Sequence, residues 1–314
     1  MRSHTLLAKA VLTGTLAMMV AFFVACEEYI DPPFEIEEPK LVISSNFSPG
    51  EKVSVRLSAS NPAYGPTRQG EIRNANVKIF GGGQVLDSLV YVPGPNGSPG
   101  AYCSLEFSPE TDVDYTLLAS APGFTPVTAT SSIPTSANIT ALQVSELESL
   151  TAGNGLRLYT FNLTVDYNDP DWVNNFYDLR IRQLVTPFSV AAGTQDTSFF
   201  TPVTKTVEAF ADATADNTAV GESSYLIKDR VPGGVTLRLV SKIDPKRELL
   251  GDLIVELRTV SQDYYSFQRD VQDGCRVCGI IVEPDAVPVY SNVGGGYGIF
   301  AGYNPVVRQF PLLD

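Results

Sequence analysis

The chain has 314 residues, a formal net charge of −13 at pH 7 and one histidine, His4. The acidic balance excludes the basic footprint of a nucleic-acid-binding protein. His4 lies in a segment that is predicted below to be removed, so the mature chain would have no histidine. This excludes Ser-His-Asp and Cys-His catalysis and histidine metal ligands. We therefore predict no catalytic residues, no metal and no cofactor. A carboxylate pair is the one hydrolytic alternative that composition leaves open.

The first 25 residues have the pattern of a secretory signal peptide. Arg2 and Lys9 form a basic start, and residues 10–25 are uncharged and largely apolar. A transmembrane helix needs about 20 predominantly apolar residues, and this run is shorter and is followed at once by acidic residues. The pattern therefore predicts a signal peptide over residues 1–25.

The end of this run, Phe23-Val24-Ala25-Cys26, resembles a bacterial lipobox. That resemblance implies cleavage before Cys26 and attachment of acyl chains such as palmitate to that cysteine. An ordinary signal peptide with an incidental cysteine is the alternative. Glu27-Glu28 and Asp31 resemble the export signal of surface lipoproteins in Bacteroidota. They imply a lipid-anchored protein on the outer membrane facing the cell exterior, with a periplasm-facing orientation as the alternative.

Cleavage at this point leaves 20 basic and 35 acidic residues, a net charge of −15. Residues 26–37 are acidic and contain prolines, which predicts an extended tether. Short alternating runs separated by turns then follow, for example Val53, Val55 and Leu57. About seven such strands at turn spacings near 8–12 residues predict an immunoglobulin-like β-sandwich over residues 38–135.

A second domain is predicted over residues 136–314, because Pro134 ends the first set of strands. Residues 158–165 alternate strictly between apolar and polar side chains, which indicates a strand. Tyr264, Phe267 and Val271 fall on one face of a helix near 262–273. The predicted fold is all-β, with two sandwich domains, of which the second is a larger antiparallel β domain with one short helix.

The cysteines predict a local crosslink. Cys275 and Cys278 have CxxC spacing, and an oxidising compartment favours a disulfide between them. Two thiols make only half a zinc site, and a thioredoxin-type motif belongs at the start of a helix rather than after one. Cys103 is then expected to be a small residue of the core.

Four aromatic residues are possible ligand contacts. Trp172 is the only tryptophan and lies beside a predicted turn, where it is either a ligand platform or a half-buried loop anchor. Tyr297, Phe300 and Tyr303 follow a glycine-rich stretch that permits close approach of the backbone. They either line a ligand pocket or fasten a terminal strand into the sandwich.

The order of several motifs resembles a family of Bacteroidota lipoproteins, the domain of unknown function four-two-four-nine. The motifs are the Glu37–Val42 run, the Asp169-Pro170 turn, the strand and helix over 255–265, and the closing run 290–303. The resemblance extends over nearly the whole mature chain and implies no catalytic residues. It implies an accessory role beside a TonB-dependent outer-membrane transporter.

Three functions stay open from the sequence. The first is a non-enzymatic surface lipoprotein that captures a ligand for, or covers, such a transporter, and it predicts an exposed apolar patch. The second is a structural or adhesive module, which predicts no such patch. The third is a carboxylate hydrolase, which predicts two acids roughly 5–10 Å apart in a cleft and one perturbed pKa.

Overall fold

The structure is a computed structural model that describes residues 38–61, 70–169, 175–193, 196–210, 219–220, 224–228, 233–277 and 289–313. The predicted signal peptide and tether, with Cys26, lie outside these residues, as do Trp172 and Cys278. Residues Pro39–Asp314 form one compact unit.

The described residues are mostly strands. In chain order these are β1 (Leu41–Phe47), β2 (Ser54–Ala59), β3 (Asn76–Gly81), β4 (Gln84–Val92), β5 (Ala101–Cys103), β6 (Asp114–Ser120), β7 (Val127–Ser132), β8 (Ile139–Thr151), β9 (Arg157–Tyr167), β10 (Phe176–Val190), β11 (Thr197–Phe199), β12 (Val203–Thr206), β13 (Glu208–Phe210), β14 (Ala219–Val220), β15 (Tyr225–Lys228), β16 (Gly234–Ile243), β17 (Glu248–Val260) and β18 (Tyr297–Phe310). A 3-10 turn spans Pro95–Gly97, and one α-helix, α1, spans Gln262–Val277. The all-β prediction with one short helix is confirmed.

The strands form two sheets. A 14-stranded sheet has the order β14-β15-β10-β17-β18-β1-β2-β5-β4-β3-β6-β7, with β11 and β12 also paired to β10. A four-stranded sheet has the order β13-β16-β9-β8. Along these strands, buried side chains alternate with more exposed ones. In β9, for example, Phe161, Leu163 and Val165 are buried while the residues between them are not.

Most buried apolar side chains of the described residues belong to one of two hydrophobic cores. The first gathers side chains from Leu41 to Ile133 together with Val293 and Phe300. The second gathers side chains from Ala137 to Leu257 together with Leu312. The predicted domain boundary at residues 135–136 stays a prediction.

Strand β18 belongs to both halves of the large sheet. Residues 297–302 pair parallel to β1, and residues 303–310 pair antiparallel to β17. The sequence predicts an antiparallel second domain, and the parallel segment of β18 departs from that prediction. Gly298 permits this pairing: its φ is +104°, and a Cβ there would lie 1.9 Å from the carbonyl oxygen of Ile43.

Helix α1 begins directly after β17. The Ser261 side-chain oxygen accepts a 3.2 Å hydrogen bond from the backbone N–H of Tyr264, which is an N-cap. The helix buries Tyr264 and Tyr265 against Leu226, Val260 and Ile299 in a third, smaller cluster. It continues past residue 273, through Gly274, because a glycine in a helix costs only about 1 kcal/mol relative to alanine.

Candidate functional site

Two neighbouring strands carry a row of alternating charges on the face opposite the second core. On β10 these are Asp178, Arg180 and Arg182, and on β17 they are Glu256 and Arg258. Asp178 lies opposite Arg258, and Arg180 lies opposite Glu256. Residues opposite each other in an antiparallel pair share a face and attract when their charges differ. We call these five residues the arginine face.

The end of the arginine face beneath α1 is buried. The carboxylate of Asp178 is fully buried and accepts hydrogen bonds from Arg180 Nε at 2.8 Å, the Tyr264 hydroxyl at 2.7 Å and the Ser224 hydroxyl at 2.6 Å. Arg180 also donates to the Tyr264 oxygen at 2.9 Å. This network holds α1 against the sheet, because a buried charge is tolerated only when it is paired and hydrogen-bonded.

The same network fixes protonation states. Burial and the nearby charge of Asp178 raise the pKa of Tyr264, so this side chain stays a neutral donor. Burial opposes the charge of Arg180, but Tyr264 and Asp178 outweigh it and raise its pKa. Neither group changes charge near neutral pH.

The other end of the arginine face is open to solvent. The Glu256 carboxylate joins two arginines, accepting from Arg182 Nη2 at 2.7 Å and from Arg258 Nε at 2.7 Å. Arg258 also lies over the ring of Tyr303, 4.5 Å from its centroid. The Arg182 side chain is 42% exposed, although its Nε is buried without a hydrogen-bond partner. The open end therefore presents a partly exposed guanidinium that Glu256 holds in position.

Apolar side chains border this open end. Ile254 lies opposite Arg182 on β17, and Val307 lies opposite Glu256 on β18. Val307 is 53% exposed. Arginine beside aliphatic side chains on a flat surface is typical of protein interfaces rather than of small-molecule clefts.

The same sheet face continues into an apolar end. Beyond Val185, the last β10 residue in the second core, the strand runs on to Val190. Phe188 lies opposite Phe199 of β11, and their ring centroids are 6.2 Å apart. Leu249 of β17 lies opposite Thr186 and so shares this face. We call Phe188, Val190, Phe199 and Leu249, together with Phe200, which follows β11 and lies on the other side of the ladder opposite Pro187, the ribbon tip.

The ribbon tip is strongly exposed for an apolar group of side chains. The exposed fractions are 62% for Phe199, 55% for Phe200, 52% for Val190 and 47% for Leu249. Single exposed apolar residues are ordinary, and a group of them on neighbouring strands, with Phe188 against Phe199, is a candidate contact surface.

The predicted aromatic contacts do not meet in one pocket. Tyr297 is exposed, and its hydroxyl lies 3.2 Å from Lys40 Nζ. Phe300 is fully buried in the first core and stacks on Phe47 with ring centroids 4.5 Å apart, so it has no surface to offer a ligand. Tyr303 lies between Arg258 and Tyr264 beside the arginine face. Trp172 lies outside the described residues.

The predicted disulfide stays a prediction. Cys275 lies in the last turn of α1, where its side chain is not described, and Cys278 and the lipidation site Cys26 lie outside the described residues. Cys103 is half-buried, as a free thiol.

The charged residues of the arginine face were missed from the sequence. The available signal was the alternation in β10, where Asp178, Arg180 and Arg182 alternate with the apolar residues of the core face, matched by Glu256 and Arg258 in β17. In the part of the chain that the structure describes, no group of three or more His, Cys, Asp or Glu side chains is placed to hold a metal ion. None of the described helices is long and apolar enough to span a bilayer.

One protein family matches most of the chain. A family model described as a domain of unknown function (DUF4249) matches residues 27–309. The chain belongs to this family. No curated protein matches the chain. The DUF4249 match includes the arginine face, the ribbon tip and most of β18, so every surface described above lies within the family domain.

Proposed function

We propose that this DUF4249 protein is a non-enzymatic surface lipoprotein that works as an accessory or ligand-capturing subunit of a TonB-dependent outer-membrane transporter. In this proposal acyl chains on Cys26 anchor it in the outer membrane, and residues 26–37 tether it on the exterior side. The protein then contributes a binding surface rather than a reaction.

One observation carries the proposal. An accessory subunit needs an exposed surface that another protein covers, and a passive spacer does not. The outer face of β10 and β17 supplies such a surface, because among the described residues α1 covers the end at Asp178 and leaves Arg182 and Val307 exposed. The remainder combines Arg182, which Glu256 holds in place, with exposed Val307 and the apolar ribbon tip. Because Glu256 already holds the Arg182 side chain in place, this side chain loses little conformational freedom when another protein binds it, which favours association.

The alternatives make different demands. A structural or adhesive module does not need the apolar surface at the ribbon tip. A carboxylate hydrolase needs two free acids in a cleft. The two buried acids of the described region, Asp178 and Glu256, are each bound to arginine instead.

The test is a mild-detergent pull-down of the tagged, lipidated protein from its native membrane, followed by mass spectrometry. We expect a stoichiometric TonB-dependent barrel with the wild-type protein. The transporter barrel should no longer co-purify with the variant R182E/V307D. This variant reverses the charge at residue 182 and places a charged side chain at the apolar border of the open end.

The matched control is L150D, since Leu150 on β8 is 67% exposed and lies outside the arginine face. Loss of the barrel in both variants would indicate a general defect rather than a docking surface. A protein that comes down alone, while protease still reaches it on intact cells, would overturn the transporter proposal. Glycan and peptide binding would then test the adhesive alternative.

A further inference from the structure

A pocket lies on the large sheet, on the face opposite the first core, and it shares no residue with the arginine face or the ribbon tip. Its volume is about 320 Å³, which is at the small end of the range for ligand pockets. Its walls come from β3, the turn at Gly81–Gly83, β6 and β7. We call it the β6 pocket, because Asp114, Thr116 and Leu118 of that strand line it.

The middle of the β6 pocket is apolar. Phe80 lies opposite Thr116 in the β3–β6 pairing, and Leu118 follows two residues later, so the ring of Phe80 and the side chain of Leu118 share one face. Both side chains are half-buried. The three residues after Phe80 are glycines, so no side chain of this turn covers the ring. The pocket therefore offers an aromatic and an aliphatic surface to a ligand.

The two ends of the β6 pocket carry opposite charges. Asp114 lines the pocket at the start of β6 and is exposed. Lys78 lies opposite Leu118, further along β6, and is half-buried. In the part of the chain that the structure describes, neither charged side chain forms a hydrogen bond or an ion pair. A ligand with an ammonium at one end and a carboxylate at the other would find a free counter-charge for each.

Asp114 differs in this respect from other acids on the strands around the first core. The Asp87 carboxylate accepts a 2.7 Å hydrogen bond from the Ser104 hydroxyl, and the Glu71 carboxylate accepts one of 2.7 Å from the Tyr91 hydroxyl. Those acids hold neighbouring segments together. Asp114 has no such role among the described residues, so its carboxylate is available to a ligand.

Hydroxyl groups lie between the charged ends. Thr116 and Thr128 both line the pocket, and the Thr116 hydroxyl lies 2.9 Å from the hydroxyl of Thr130. A hydroxyl both donates and accepts hydrogen bonds, which suits a peptide group with its one donor and one acceptor. The pocket thus combines opposite charges, hydroxyls and an apolar surface, which are the groups that complement a short peptide.

We propose that the β6 pocket binds a short extended peptide with free termini. The ammonium terminus would meet Asp114 and the carboxylate terminus would meet Lys78, while the side chain between them packs on Phe80 and Leu118. Strand geometry sets the length, because Asp114 and Leu118 are roughly 13 Å apart at about 3.3 Å per residue. Three extended residues span about 10 Å, so a tripeptide reaches both charges through one hydrogen bond at each end. A free amino acid carries both charged groups on one Cα and is too short.

Isothermal titration calorimetry of the lipidated mature protein in mild detergent tests this site. The probe is the tripeptide Ala-Leu-Ala with free termini, which is compared with its N-acetylated form, its C-amidated form and free leucine. We expect each cap to weaken binding by up to about fivefold, which is the contribution of an exposed ion pair. Free leucine should bind more weakly than the tripeptide.

Two variants assign the ends of the peptide. D114N should weaken binding of the free tripeptide and abolish the effect of N-acetylation, whereas K78Q should abolish the effect of C-amidation. The matched control is E148Q/K246Q, because Glu148 and Lys246 are exposed and lie outside the pocket. This control should bind the tripeptide as the wild type does.

A doubly capped tripeptide that binds as tightly as the free one would overturn the proposal, because the charged ends would then play no part. The absence of binding by every probe would overturn it too, as would an equal loss of binding in E148Q/K246Q. The inference goes beyond the proposed function, since this binding needs no transporter. Peptide binding by a protein that co-purifies no barrel would contradict only the transporter proposal.

Discussion

The Tyr264 hydroxyl donates a 2.7 Å hydrogen bond to the carboxylate of Asp178, and both side chains are fully buried. The pair joins the first turn of α1 to the start of β10, across 86 residues of sequence. The Tyr264 oxygen also accepts a hydrogen bond from Arg180, so one hydroxyl contacts both members of the Asp178–Arg180 ion pair.

Y264F should destabilise the protein by about 1–3 kcal/mol, because it removes a donor from a buried carboxylate. Urea unfolding followed by circular dichroism measures the change. The matched control is Y297F, whose hydroxyl lies at the surface near Lys40, and its change should stay within about 0.5 kcal/mol. Equal stability of the two variants would mean that the hydroxyl does not support Asp178.

Glu256 should matter more for stability than Arg182. E256Q leaves Arg182 and Arg258 without their shared counter-charge and should cost roughly 2–4 kcal/mol, since the acid is nearly buried but one partner is partly exposed. R182Q removes only the more exposed partner and should cost at most about 1 kcal/mol. Chemical denaturation of both variants decides the order, and a larger loss in R182Q would contradict it.

Gly298 should tolerate no side chain. G298A places a Cβ against the backbone carbonyl of Ile43 at a φ of +104°, and we expect a loss of at least about 3 kcal/mol or failure to fold. G82A is the matched control, because Gly82 also has a positive φ, +58°, but no atom within 4 Å of the added Cβ. That change should cost about 1–2 kcal/mol. Thermal and urea unfolding measure both losses. If G298A and G82A lose similar stability, the positive φ alone, and not the β1–β18 contact, requires glycine at residue 298.

Buried Tyr225 and half-buried Tyr290 should make the protein sensitive to alkali. Burial raises the pKa of Tyr225 to about 12 from its ordinary value of 10, and burial with the Asp263 hydrogen bond raises the pKa of Tyr290 to about 12. Above pH 10 the unfolded chain loses these protons while the folded chain keeps them. Tyr225 therefore lowers the free energy of unfolding by about 1.4 kcal/mol per pH unit between pH 10 and 12. The contribution of Tyr290 is smaller, because this side chain is partly exposed and solvent screens it.

Urea unfolding at pH 8, 10 and 11 tests this dependence. Y225F should unfold with a shallower decrease above pH 10 than wild type. Below pH 10 its stability should not depend on pH through this residue, because both states keep the proton. An unchanged slope in Y225F would show that another group controls alkaline unfolding.

The predicted disulfide has a direct chemical test, because Arg276 lies between Cys275 and Cys278. Complete trypsin digestion of the alkylated, unreduced protein separates residues 270–276 from residues 277–308 unless the bond joins them. We expect one linked peptide pair that reduction splits. Two separate alkylated peptides before reduction would mean that both thiols are free.

Local patterns in the sequence were sufficient to predict several of the strands and the helix. Alternation predicted a strand over residues 158–165, and β9 spans Arg157–Tyr167. Tyr264, Phe267 and Val271 predicted the helix near 262–273, and Tyr264 and Phe267 belong to its packed face. Burial on one side of a strand or helix repeats with a period that neighbouring residues alone reveal.

The candidate surfaces could not be predicted in the same way. The closing run 290–303 suggested three aromatic contacts, yet Phe300 enters the first core while Tyr303 packs beside Arg258. This separation arises because β18 pairs with β1 along its first half and with β17 along its second. A sequence pattern records which residues alternate along a strand but not which strands will lie beside it.

The sequence by itself determined the β-rich composition, the position of the helix and the family to which the chain belongs. Only the tertiary structure decided that Asp178, Glu256 and three arginines share one sheet face, and that this face continues into an exposed ribbon tip. The physical reason is distance along the chain: strand periodicity is set by neighbouring residues, whereas the Asp178–Tyr264 and Arg182–Glu256 contacts join residues 86 and 74 positions apart. Such contacts form only when the packing of whole sheets brings the strands together.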